Sequence, residues 1–113
     1  GIVTNKALHL AEPIVAGLGL AGRASVLIGG DSTPYAKPHP EPLHEATRRI
    51  GAVAARCVYI GDDLRDIQAG RAAGMAALAA GWGYLGQGEP VEAWGADAVI
   101  HRPDALLNWL GLP

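Results

Sequence analysis

The chain has 113 residues, half of them hydrophobic and 18% charged, a balance that excludes a disordered chain and suits one domain with a core of its own. A formal net charge of -2 and a pI near 6.0 leave no basic excess, which excludes nucleic acid as the main partner and points to small ligands. No apolar run approaches the roughly 18 residues of a membrane helix and no segment resembles a signal peptide, so neither membrane insertion nor export is expected.

The first apolar run, IVT at 2–4, reads as a strand. The chain opens on Gly1 and Ile2 without a Met, directly inside this run, so a preceding segment is expected. Thr4-Asn5-Lys6 then leads into a helical pattern over residues 6–18. There a hydroxyl and the free N–H groups of a helix N-terminus would face one point and suit an anion. The alternative is that Thr4 or Asn5 is an ordinary N-cap. Glu12-Pro13 marks a bend within this helix. The GxGxxG pattern at 17–22 follows a helix and precedes a strand, the reverse of the dinucleotide order, and reads as a loop.

A second strand, VLI at 26–28, is followed by the turn Gly29-Gly30-Asp31. Lys37 stands just before Pro38-His39-Pro40, where alternate prolines are expected to hold the chain extended and fix the lysine's reach. The alternative is a solvated surface lysine. Residues 41–50 read as an amphipathic helix, with Leu43, Ala46 and Ile50 on one face, Pro42 in the first turn and Gly51 at the stop.

The third strand, CVYI at 57–60, carries the single Cys57. A lone cysteine in an apolar run is expected to be a buried small hydrophobe in a reducing compartment, the cytoplasm. The strand ends in Gly61-Asp62-Asp63-Leu64-Arg65-Asp66, three carboxylates within five residues. A hard cation would relieve their repulsion, Mg²⁺ in preference to Zn²⁺, with Asp62 the direct ligand. Asp63 and Asp66 could instead pair as the cap of the next helix, over residues 64–73.

Further strands are expected at 75–80 and 98–100 and a last helix at 104–110. The second GxGxxG, at 81–86, follows a strand, but Gly88, Pro90 and Gly95 make a poor helix start beyond it. His9, His39, His44 and His101 have no zinc-ligand spacing and read as surface or packing residues. Trp82, Trp94 and Trp109 are expected to cover the edge of the core. Strands alternating with helices, apolar throughout, predict an α/β, Rossmann-like parallel sheet flanked by helices, with ligands beyond the strands' carboxyl ends. No internal domain boundary is expected.

The segments GIVTNK, KPHPEPL and GDDLRD, in this order and spacing, resemble motifs two, three and four of the haloacid dehalogenase-like phosphatases. Within that superfamily the chain is most similar to bacterial phosphoglycolate phosphatases and N-acetylmuramic acid 6-phosphate phosphatases. The likeness runs over nearly the whole chain, including GRAAGM at 70–75 and the GYLG and WGADAVI segments. It implies that Thr4, helped by the Asn5 backbone, and Lys37 bind the substrate phosphate and that Asp62 ligates Mg²⁺. It also implies that Asp66 orients Lys37 or a metal-bound water.

The nucleophile of that family, an Asp in a DxDGT-like segment ending the first core strand, is absent from the 113 residues. Residues 1–113 are therefore expected to be the C-terminal part of such a core, lacking the first strand and the cap, and inactive alone. The implied substrate is a small phosphorylated metabolite such as 2-phosphoglycolate. GDDLRD and AEPI at 11–14 lean toward the sugar phosphatase. A non-catalytic phosphate- or metal-binding module is the alternative of another class.

Overall fold

In the computed structural model, residues 1–82 and 88–113 are described. The order is β1 (Ile2–Val3), α1 (Leu8–Gly17), β2 (Leu27–Ile28), α2 (Glu41–Ile50), β3 (Val58–Gly61), α3 (Leu64–Ala72), β4 (Ala76–Ala80), β5 (Ala98–Ile100) and α4 (Ala105–Trp109), with short 3₁₀ turns at Ala54–Arg56 and Val91–Ala93. The alternation of strand and helix is the expected one. GYLG and the second half of the 81–86 glycine pattern lie outside the described residues.

All pairings among the described residues are parallel, and α1 crosses between β1 and β2 as α3 does between β3 and β4. β1 pairs with β2 (Ile2↔Leu27, Val3↔Ile28), and β4 lies between β3 and β5. β4 is alanine-rich and its last four residues are buried. Small side chains there let α3 approach closely: a Cβ at Gly70 would lie 3.1 Å from Ala77 Cβ and 3.3 Å from Tyr59 Cβ. Ile67, Ala77, Ala79, Val91 and Trp94 form one buried cluster, and Leu43, Ala69, Ala73 and Met75 another. Trp94 is thus a core residue at 8% exposure, its indole N–H donating to Glu89 O, while Trp82 and Trp109 are exposed.

On α2, Leu43 and Ala46 are buried as expected and Gly51 ends the helix at φ 67°. Ile50 is 45% exposed. The buried place expected of Ile50 goes to Thr47, its hydroxyl satisfied by donating to His44 O. Cys57 is half-buried beside the Leu43 cluster, not fully buried.

Among the described residues the two sheets do not join. Ile2 N–H donates to Val26 O and Thr4 N–H to Ile28 O, so by strand alternation the backbone of Val3 faces away from β2. Ala76 N–H donates to Cys57 O, which likewise turns the backbones of Val58 and Ile60 away from β4. Between these edges runs a groove of about 300 Å³ lined by Gly1, Ile2, Val3, Val58, Tyr59 and Ile60. β1 and β3 are half-buried throughout.

Candidate active site

The carboxyl ends of β1 and β3 open into one polar cavity of about 230 Å³, lined by Thr4, Asn5, Lys6, Lys37, Asp62, Asp63, Arg65 and Asp66. The five residues that the resemblance assigns to the site, Thr4, Asn5, Lys37, Asp62 and Asp66, all line it. A larger cavity of about 430 Å³ lies against α1, but it is lined by Glu12 and small or apolar residues and carries no comparable polar cluster.

At the end of β1 the Thr4 hydroxyl oxygen accepts from Lys6 N–H at 3.1 Å, closing a tight turn. α1 starts at Leu8, later than expected, after Ala7, which offers no capping side chain. Neither Thr4 nor Asn5 is the cap. Leu8 N–H donates to Asp31 Oδ1 at 2.8 Å, and this bond holds the Asp31 carboxyl below its ordinary pKa. The positive end of α1 is therefore met by a carboxylate of the chain itself, not left open for an external anion. The second loop can lie this close only because of its glycines. Gly30 N–H donates to Lys6 O at 2.8 Å, and a Cβ at Gly30 would fall 2.0 Å from Asn5 O.

That contact brings Asn5 to Lys37. The Asn5 side chain clasps the lysine backbone at both ends: Nδ2 donates to Lys37 O, and Lys37 N–H donates to Oδ1, each at 3.0 Å. The proline segment is not extended. The Lys37-Pro38 peptide is cis, His39 N–H donates to Ala36 O at 3.0 Å, and Pro40 has helical dihedrals. The reach of Lys37 is thus set by Asn5 and by the partners of its ammonium. His39 stacks on Tyr35 with ring centroids 4.1 Å apart and accepts from Glu41 N–H, a packing role.

Lys37 is no solvated surface lysine. Its Nζ donates to Asp66 Oδ1 at 2.6 Å, Tyr59 Oη at 2.9 Å and Val3 O at 3.0 Å. The Lys37 and Asp66 side chains are each 10% exposed. Burial works against the ammonium's charge, but Tyr59 and Asp66 outweigh it and hold the lysine above its ordinary pKa. At neutral pH Tyr59 is a neutral phenol, so the Asp66 carboxylate is the charge that opposes desolvation there.

The crowding in GDDLRD is resolved mostly by pairing, not by one shared cation. Asp66 Oδ2 accepts from Asp63 N–H at 3.2 Å while Asp63 Oδ1 accepts from Arg65 N–H at 2.9 Å, a reciprocal cap on α3. Arg65 Nε also donates to Asp63, and these bonds hold the Asp63 carboxyl below its ordinary pKa. Asp62 is exposed and has no hydrogen-bond or ion-pair partner among the described residues. The described residues hold no group of three metal-ligating side chains, which does not fit zinc. A single free carboxylate oxygen donor fits a hard cation that keeps waters and takes a ligand from its substrate.

Sequence reasoning passed over Tyr59, Lys6 and Arg65. Lys6 and Arg65 were findable as neighbours of Thr4 and Asp66, whereas Tyr59 lay inside a run read only as apolar. The cavity carries three basic and three acidic side chains and is formally neutral. A divalent cation and a dianion can enter together without leaving net charge.

Residues 1–74 match the haloacid dehalogenase-like hydrolases. A phosphoglycolate phosphatase of Xanthomonas campestris pv. campestris is 53% identical over 107 residues, covering 94% of this chain and 48% of the relative. An N-acetylmuramic acid 6-phosphate phosphatase of Pseudomonas aeruginosa is 43% identical over 110 residues, covering 97% of this chain and 49% of that protein. The crystal structure of a predicted phosphoglycolate phosphatase from Haemophilus somnus superposes with a TM-score of 0.84 at 29% identity, over 95% of this chain and 48% of the other. The chain thus spans about half the length of the curated relatives it matches.

Proposed function

The chain belongs to the haloacid dehalogenase-like hydrolases, and on that premise we propose that it forms the phosphate- and Mg²⁺-binding half of a phosphomonoesterase acting on a small phosphorylated metabolite. The observation that carries the reading is the Lys37–Asp66 pair, 2.6 Å apart and nearly buried, in one cavity with Thr4 and with Asp62, which has no partner among the described residues. Thr4 and the Asn5 backbone N–H bind phosphoryl oxygens, Lys37 neutralises their charge, and Asp66 orients Lys37. Asp62 holds Mg²⁺, which when bound supplies charge stabilisation to the transferring group. These groups lower the barrier to an anionic nucleophile approaching a dianion.

The nucleophile, an aspartate that takes the phosphoryl group and returns it to water, comes from a segment outside these 113 residues. The groove between β1 and β3 supports this reading. Its backbone edges face each other and its walls are apolar, as one inserted parallel strand requires, and that strand would end at the polar cavity. Of the two substrates named by the relatives, 2-phosphoglycolate has the higher identity behind it and is the first reading. N-acetylmuramic acid 6-phosphate is the second. We place the protein in the cytoplasm, with neither nucleic acid nor membrane as a partner. Among the described residues no helix is long and apolar enough to cross a membrane.

The test is phosphate release from both substrates by the protein carrying the nucleophile segment, with Mg²⁺ or with a chelator. Lys37→Ala is expected to lower turnover by a factor on the order of 10²–10³. The 113 residues alone are expected to release no phosphate, and Mg²⁺-dependent release above a Lys37→Ala control would overturn the division of labour. No release by the longer protein from either substrate would favour a non-catalytic binding module.

A further inference from the structure

Three basic side chains line the polar cavity, Lys6, Lys37 and Arg65, and two of them are committed. Lys37 lies deep, its side chain 10% exposed, with Asp66 at 2.6 Å. Arg65 is clamped to Asp63 by two bonds, Nε to Oδ1 at 3.0 Å and Nη2 to Oδ2 at 3.2 Å. Lys6 is exposed, and among the described residues its ammonium makes no hydrogen bond or ion pair. Its backbone, by contrast, is pinned on both sides. Lys6 N–H donates to Thr4 Oγ1 at 3.1 Å, and Lys6 O accepts from Gly30 N–H at 2.8 Å.

This tight turn limits what the ammonium can reach. An anion held by the Thr4 hydroxyl and the Asn5 N–H lies beside the root of Lys6, within the span of its flexible four-carbon stem. Burial orders the site by depth, with Lys37 at the floor, Thr4 half-buried and Lys6 at the mouth. A phosphoryl group whose charge Lys37 offsets therefore points the rest of its ester outward, past Lys6. In 2-phosphoglycolate that rest is one methylene and a carboxylate. A carboxylate drawn out of water needs a cation, and Lys37 and Arg65 are each held by a carboxylate of the chain itself.

We propose that Lys6 determines specificity: its ammonium binds the carboxylate of a short phosphorylated hydroxy acid, while Thr4, Asn5 and Lys37 hold the phosphoryl group at the other end. This rests on the phosphomonoesterase reading given above and narrows it, because in N-acetylmuramic acid 6-phosphate the carboxylate stands across a sugar ring from the phosphate. The aspartate of the inserted strand arrives at the same cavity and is the competing partner for Lys6. A lysine bound to that aspartate acts on every substrate alike, whereas one that binds a substrate carboxylate favours acids only.

The experiment compares 2-phosphoglycolate with 2-hydroxyethyl phosphate, which has the same chain length and an alcohol in place of the carboxylate. The enzyme is the protein carrying the nucleophile segment, as wild type, Lys6→Met and Lys6→Arg, with kcat and KM measured separately. The wild type is expected to favour the acid. Lys6→Met should lower the ratio of kcat/KM for the acid to that for the alcohol about tenfold, chiefly through KM, the equivalent of one charge-assisted hydrogen bond. Lys6→Arg should restore most of that ratio. A wild type without preference, an unchanged ratio in Lys6→Met, or equal losses on both esters each overturn the proposal, and the last assigns Lys6 to the aspartate or to the phosphoryl group. Release from neither ester by the wild type sinks the substrate reading itself, which the other three outcomes leave standing.

Discussion

Replacing Gly61 by alanine adds one methyl group at the end of β3, and the structure has no room for it. The new Cβ would lie 2.2 Å from Asp66 Oδ2 and 2.3 Å from its Cβ and Cγ. Asp66 cannot swing aside freely: it is 7% exposed, bonded to Lys37 at 2.6 Å, and accepts from Asp63 N–H. The methyl must push it out of both contacts. Losing the cap bond costs about 1 kcal/mol. Parting the carboxylate from a nearly buried ammonium that keeps two neutral acceptors costs about 2 kcal/mol, below the 3–5 kcal/mol of a fully stranded charge. The sum, about 3 kcal/mol, lowers the melting temperature by on the order of 10 °C in a chain of this size.

The assay is thermal unfolding followed by circular dichroism, with Gly17→Ala as the control. A Cβ at Gly17, the last residue of α1, meets nothing within 4 Å, and alanine there is expected to add roughly 0.5–1 kcal/mol. A Gly61→Ala protein melting within about 2 °C of the wild type would refute the reasoning that Asp66 is pinned against the strand end.

Lys37→Met keeps most of the side-chain volume but leaves the Asp66 carboxylate nearly buried without its cation. A loss of about 2–4 kcal/mol is expected in denaturant unfolding, and a loss below about 1 kcal/mol would contradict the burial argument. Asp62→Asn removes a carboxylate with no partner among the described residues, so the melting temperature should stay put while calorimetric Mg²⁺ binding disappears; persistent binding would remove Asp62 as the ligand. Burial raises the Tyr59 pKa above its ordinary 10.0 despite the pull of Lys37, and Lys37 itself lies above its ordinary 10.5. A group whose folded pKa is raised stabilises fully below its unfolded value and loses that contribution as pH climbs through the folded one. Stability should therefore be flat with respect to this pair up to about pH 10 and fall above it. The fall should be shallower in Tyr59→Phe, and an equally steep fall would discount the tyrosine.

Much of the fold was legible because it is written locally. Apolar runs ended by Gly, Asp or Asn, with helical spacing between them, located each strand to within one or two residues, and Pro42 and Gly51 bracketed α2. α1 was misjudged at its start because its N-terminal partner is Asp31, 23 residues away, and nothing near Leu8 announces it. The proline segment was misjudged because a proline fixes φ but not the isomer of the peptide bond before it, and here the chain turns at Lys37-Pro38. Ile50 follows the helical period yet stands exposed, since α2 buries Leu43, Ala46 and Thr47 and packs on β1 and β2 through Leu43 and Ala46.

By itself the sequence placed Thr4 and Asp62 at one edge, because in a parallel sheet every strand ends on the same side and residues just after strands converge, while Lys37 and Asp66 joined them there only through the resemblance of the three motifs. Only the tertiary structure decided what each of them is free to do. Asp63 turned to its helix and Asp66 to Lys37, leaving Asp62 without a partner among the described residues. The ammonium's donors were taken up by partners 22, 29 and 34 positions away. Such bonds depend on distances of a few tenths of an ångström between loops brought together by glycines, and no local pattern of residues carries that information.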